Sequence, residues 1–176
     1  MPIVNASRPS ASRSPSIVLS WCARAALWRA LTKEANAAFD QGHDVRARVL
    51  YEAALAEADS LFAAAAERLS EDAVDLAPTA YNLSCHNVAE LARRQKDHAT
   101  EGIFLHRAYE RLVSVAESPA APLRLRAGCI RPLSAASASL IGYFAEQGKR
   151  AAAFACTERA KAATFEVLRL TDPVVS

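Results

Sequence analysis

The chain has 176 residues, 40 of them Ala and only 5 Gly, with an apolar content of 52% and a formal net charge of +2. That length fits one domain, and that apolar share excludes a wholly disordered chain. No apolar run reaches the roughly 20 residues that span a bilayer, and Cys22, Cys85, Cys129 and Cys156 are too dispersed for a disulfide framework or a zinc ribbon.

Ala loses no side-chain entropy in a helix, so the composition favours an all-α chain. The charge is unevenly spread. Arg8, Arg13, Arg24, Arg29 and Lys33 precede the first acidic residue, Glu34, and give residues 1–33 a charge of +5. The other 16 basic side chains face 19 acidic ones, so residues 34–176 carry −3. No basic stripe argues for nucleic acid as a partner. Residues 1–24 read as a leader, either disordered or a targeting segment. Ser7, Ser10, Ser12, Ser14 and Ser16 with Pro2, Pro9 and Pro15 build no packed face, and the basic, Ser-rich, acid-free pattern also resembles a transit peptide. Residues 25–171 read as a helical domain and 172–176 as a tail, with the cytoplasm as the expected location.

Helical periodicity governs the body. A first helix is expected over about 25–41, with Leu27, Leu31, Ala35, Ala38 and Phe39 on one face and Gly42 ending it. Asp44 is placed to cap a second helix over about 45–69, whose stripe includes Ala47, Leu50, Tyr51, Ala54, Leu55, Ala58 and Leu61. Residues 70–78, with three acids and Pro78, read as a connection. A third helix follows over about 79–95, with Tyr81, Cys85, Val88, Ala89 and Ala92 on one face. Asp97 caps a fourth over about 98–117. Pro119 and Pro122 break the chain. A fifth helix over about 122–147 carries Pro132, which should kink or divide it, and Gly148 ends it. A sixth runs over about 149–170. Short links make each pair an antiparallel hairpin, three in all.

The first hairpin carries Leu31, Ala35, Phe39, Gly42, Ala47, Tyr51 and Ala54. Small residues let two helix backbones approach, and an adjacent ring fills the remaining space. These residues resemble the turn, crossing and packing positions of a tetratricopeptide repeat (TPR). Ala89, Ala92, Gly102, Leu105 and Ala108 recur in similar roles in the second hairpin, where Lys96 stands in place of the turn Gly. The third shares Phe144, Gly148, Ala153 and Ala160. The resemblance implies three hairpins stacked as a right-handed TPR-like array. It further implies a non-catalytic scaffold or adaptor that holds a peptide or helix of a protein partner in a concave groove.

In the chaperone-adaptor branch of that family two Asn clamp a peptide carboxylate. Asn36 and Asn87 occupy those two places, while Thr32, Ala135 and Ser139 stand at or near the places of the clamp's basic residues. Without those charges a carboxylate gains little. The expected groove residues are therefore Asn36, His86, Asn87, Glu90, Arg93 and Arg94, acting through other polar contacts. An alternative is a small helical bundle that binds a ligand or metal through Cys85, His86 and Cys129. Cys85 and His86 are adjacent, hence about 100° apart on a helix, and do not pair as nucleophile and base. No catalytic constellation, nucleotide motif or cofactor motif is present. Arg124, Arg126 and Arg131 read as a solvated group. Trp21 and Trp28 are expected to pack the leader onto the first hairpin, and Phe154, Phe165, Val167 and Leu168 to cap the core or form a homodimer contact.

Overall fold

The computed structural model describes residues 20–68 and 71–171, which form six helices and no strand. These are α1 (Trp21–Asp40), α2 (Asp44–Arg68), α3 (Glu71–Arg94), α4 (His98–Glu117), α5 (Leu123–Glu146) and α6 (Arg150–Thr171). Each helix packs on the next, so the chain is three antiparallel pairs in sequence. In addition α3 lies against α5 and α4 against α6. Residues 1–19 of the expected leader and the tail 172–176 lie outside the described residues.

Helix α1 begins at Trp21, four residues before the periodicity suggests, because Ser20 Oγ accepts from the Ala23 amide and satisfies one of the free N–H groups of the first turn. Its buried face is Ala25, Trp28, Thr32, Ala35 and Ala38. Leu27, expected on that face, is exposed, since the larger Trp28 takes the interior position. Trp28 Nε1 donates to the buried Ser84 Oγ of α3 at 2.9 Å, so this ring joins the first hairpin to the second. Trp21 is half-buried, and its Nε1 has no partner among the described residues.

The three hairpin turns share one geometry. Gly42 (φ 74°), Lys96 (φ 59°) and Gly148 (φ 67°) all adopt the left-handed conformation. In each turn the next amide bonds back across the helix end: His43 N to Ala38 O, Asp97 N to Ala92 O and Lys149 N to Phe144 O. This closes the last free carbonyls of α1, α3 and α5. Lys96 takes the glycine's role directly. Asp97 then caps α4 by accepting from the Thr100 amide, and hydrogen bonding with the Thr100 side chain and amide holds its carboxyl below the ordinary aspartate value. Asp44 is the first residue of α2 and not its cap.

Two prolines depart from their expected roles. Residues 71–78 are helical, and Pro78 is a fully buried residue inside α3. Pro132 neither ends nor divides α5, which is continuous from Leu123 to Glu146. A proline lacks the amide that bonds the carbonyl four residues back, so Pro78 frees the Val74 carbonyl. That carbonyl faces Gly128 of α5, whose missing side chain leaves just enough room. The α3–α5 approach thus accommodates the proline.

The core between the layers is built from small residues flanked by larger ones. Ala47, Ala58, Ala65, Ala77, Ala108 and Ala136 have no exposed surface, beside Leu61, Leu91, Leu112 and Leu140. Arg126 is buried, contrary to the solvated reading. It donates from Nε to the Ala116 carbonyl at 2.9 Å, satisfying a terminal acceptor of α4. Arg159 of α6 bridges Glu110 and Glu117 of α4 at 2.9 and 2.8 Å.

Candidate functional site

Three of the six expected groove residues come together. His86, Glu90 and Arg93 stand on α3 one turn apart and line a cavity of about 270 Å³. Its opposite wall is α5, with Ser139, Gly142, Tyr143 and Glu146, and α4 contributes Glu101 and Leu105. The wall is open above Gly142, where an added Cβ meets no atom within 4 Å.

Most polar groups of this cleft are already oriented. The His86 Nδ1 lies 2.8 Å from the Asn82 carbonyl oxygen, an acceptor only, so Nδ1 is the ring nitrogen that donates there. Arg93 bonds Glu90 at 2.5 Å. The Tyr143 hydroxyl donates to the His98 carbonyl at 3.0 Å, and Ser139 Oγ to the Ala135 carbonyl at 3.2 Å. Glu101 is 6% exposed. One of its oxygens, Oε2, meets His98 Nδ1 at 3.1 Å, and Oε1 has no hydrogen-bond partner among the described residues. Sequence reading passed over Glu101, Tyr143 and Glu146. A signal existed for Glu101, a charge on the same helical stripe as Leu105, Ala108 and Leu112.

The remaining expected residues lie elsewhere. Asn36 Oδ1 accepts from the Tyr51 hydroxyl at 2.9 Å, within the first hairpin. Burial raises that phenol above its ordinary value. Asn87 is half-buried, and its side chain makes no hydrogen bond among the described residues. Arg94 points back to the first turn. It donates to the Phe39 carbonyl at 2.7 Å, pairs with Asp44 and stacks 3.5 Å from the centroid of the Phe39 ring. Its role is to tie α3 to the α1–α2 turn.

The cysteines are placed for packing. Cys85 and Cys129 have no exposed surface, and burial pushes both thiols up to about 12. They are held protonated at neutral pH, whereas a thiol acts as ligand or nucleophile only as thiolate. Among the described residues no group of three or more His, Cys, Asp or Glu is placed to hold a metal ion. Tyr81, beside Cys85, is also raised to about 12 by burial, and its hydroxyl accepts from Arg107 at 3.1 Å.

Other surface features lie on α6. Phe154, Phe165 and Leu168 are exposed, and of the expected apolar set only Val167 is buried. Phe165 and Leu168, with Ile130 and Ile141 of α5, line an open apolar groove of about 770 Å³. No described helix is long and apolar enough to cross a membrane.

Residues 26–172 match the family described as "Protein of unknown function (DUF2753)", and the chain belongs to that family. The matched span covers all six helices except the first five residues of α1. No curated protein and no solved structure matches the chain.

Proposed function

We propose that the chain is a non-catalytic scaffold of TPR-like, right-handed architecture that holds a peptide or helical segment of a partner protein. One observation carries this reading. The first helices of two successive hairpins, α3 and α5, face each other across an open cleft lined by His86, Glu90, Arg93 and Glu146. Peptide-binding grooves of this kind combine a preformed wall with a few polar groups that fix register. The repeated turn geometry at Gly42, Lys96 and Gly148 supports a repeat architecture, as do the buried crossing residues Ala47, Tyr51 and Ala54.

The test is affinity capture with the purified chain against its Gly142→Trp variant. An added Cβ at Gly142 meets open space on the cleft wall, and a bulky side chain built from it is the means of obstructing the cleft. A partner retained by the native chain and lost from the variant is the expected result. Identical recovery by both proteins would sink the assignment.

A further inference from the structure

Helix α6 has two apolar faces, and the fold uses one of them. Cys156, Ala163 and Val167 are buried on the side where α6 packs on α4 and α5. At 100° per residue the opposite side of the helix carries Ala151, Phe154, Glu158, Lys161, Phe165 and Leu168 within roughly 100° of arc. All six are exposed, Phe154 at 69% and Phe165 at 70%. Single apolar residues are common on a surface, but a contiguous patch built on two Phe and a Leu marks an interaction site.

The order of the six decides what fits there. They follow one another by 3, 4, 3, 4 and 3 residues, the alternation that keeps a seam facing a second helix in a coiled coil. The seam also has the same character from either end: a small or aliphatic residue, Phe, a charge, the opposite charge, Phe, a small or aliphatic residue. An antiparallel copy laid on it therefore matches every layer at one register. Ala151 meets Leu168, Phe154 meets Phe165 and Glu158 meets Lys161, each twice about the two-fold axis. A parallel copy would instead set Glu158 on Glu158 and Lys161 on Lys161. Within one chain Lys161 Nζ lies 3.0 Å from Glu158 Oε1, so the antiparallel pair closes a ring of four charges of alternating sign. The flanking residues Ala155, Thr157, Ala162 and Thr164 are small and uncharged, which lets the two backbones approach.

We infer that the outward face of α6 is a self-association surface, on which a second copy of this chain packs its own α6 antiparallel at that register. A fully exposed aromatic ring offers roughly 200 Å², so the two Phe present roughly 280 Å² per copy. Leu168, the small flanking residues and the methylene stems of Glu158 and Lys161 carry the two-copy total to about 1,200 Å², where specific interfaces begin. The Phe layers on both sides of the axis supply the attraction. The central charge layers fix direction and register at some cost in stability. The seam shares no residue with the α3–α5 cleft, so the two surfaces can be tested separately.

Sedimentation velocity of the full chain is expected to show a monomer–dimer equilibrium with a Kd of order 10 µM, suited to an interface at the small end of the specific range. Glu158→Lys and Lys161→Glu each place like charges in both central layers and should each weaken the dimer at least about 10-fold. An equimolar mixture of the two variants sets opposite charges in both layers again and should recover a Kd within about 3-fold of native. Phe165→Ser should abolish the dimer. All three positions are exposed, and circular dichroism confirms that each variant is folded. A native chain that stays monomeric up to about 200 µM overturns the inference and leaves the stripe to residues 1–19, residues 172–176 or a different protein. A dimer that survives Phe165→Ser uses another face and overturns it equally. Charge variants that dimerise as tightly as the native chain, or a mixture that fails to recover, overturn the antiparallel register.

Discussion

Gly128→Ala should destabilise the chain although alanine is the better helix former. A Cβ at residue 128 falls well inside van der Waals contact of the Val74 carbonyl oxygen and 3.1 Å from the carbonyl carbon. Carbon atoms rest about 3.5–4.0 Å apart, so α3 and α5 must separate by roughly 0.5–1 Å. The obstacle is backbone, fixed in a helix on both sides, and cannot rotate away. Overpacking of this kind costs about 3 kcal/mol at the upper end of its usual range, against about 1 kcal/mol gained in helix propensity. The net loss is about 2 kcal/mol, a fall in Tm of about 4–8 °C for a chain of this size. Gly142→Ala is the control, because its new methyl meets open space on the same helix. It should raise stability by up to about 1 kcal/mol. Thermal and urea melts followed by circular dichroism measure both. A Gly128→Ala variant melting at or above the native chain would refute the claim that the freed Val74 carbonyl sets the α3–α5 approach.

Arg94→Met should cost about 2 kcal/mol in urea denaturation, through the lost Asp44 pair, Phe39 carbonyl bond and ring contact, while leaving anisotropy titrations with any groove-binding peptide unchanged. Trp28→Phe keeps an apolar ring but orphans the buried Ser84 hydroxyl, for a loss of about 1–2 kcal/mol on the same assay. In native protein one thiol, the exposed Cys22, should react rapidly with a disulfide reagent at pH 8, and Cys85 and Cys129 only after denaturant is added. Those two thiols add to the alkaline sensitivity that the buried phenols, Tyr81 among them, also bring. Each thiol is raised from 9.0 to about 12 on folding, so above pH 9 the unfolded chain has lost protons that the folded chain keeps. Stability should fall as pH rises from about 9 to 12, by up to about 1.4 kcal/mol per pH unit per thiol. Cys129→Ala should make a plot of urea midpoint against pH measurably shallower, and an unchanged slope would contradict the assignment.

The helices and their pairing were legible because each is marked locally. Apolar stripes at helical spacing gave α2 and α4 nearly residue for residue, and Gly42, Asp97 and Gly148 gave the ends. What escaped the sequence depends on a second helix. Pro78 reads as a breaker until Gly128 is seen opposite Val74. Arg126 reads as a solvated cation until the end of α4 is laid beside it. Lys96 reads as a defect in the turn pattern, yet its backbone follows the same left-handed path as the two glycines.

The candidate site divides along the same line. A helical wheel places His86, Glu90 and Arg93 on one face, and the structure keeps them together. The wheel also offers Asn36 and Arg94 as surface groups, but Tyr51 and Asp44 claim them from neighbouring elements. A polar residue is therefore free for a ligand only if no adjacent helix supplies its partner, and that cannot be read from one helix alone. Glu101 is the converse case. Its place on the apolar stripe of α4 announces a buried charge, and a buried charge requires a counter-charge. The fold provides only an exposed imidazole.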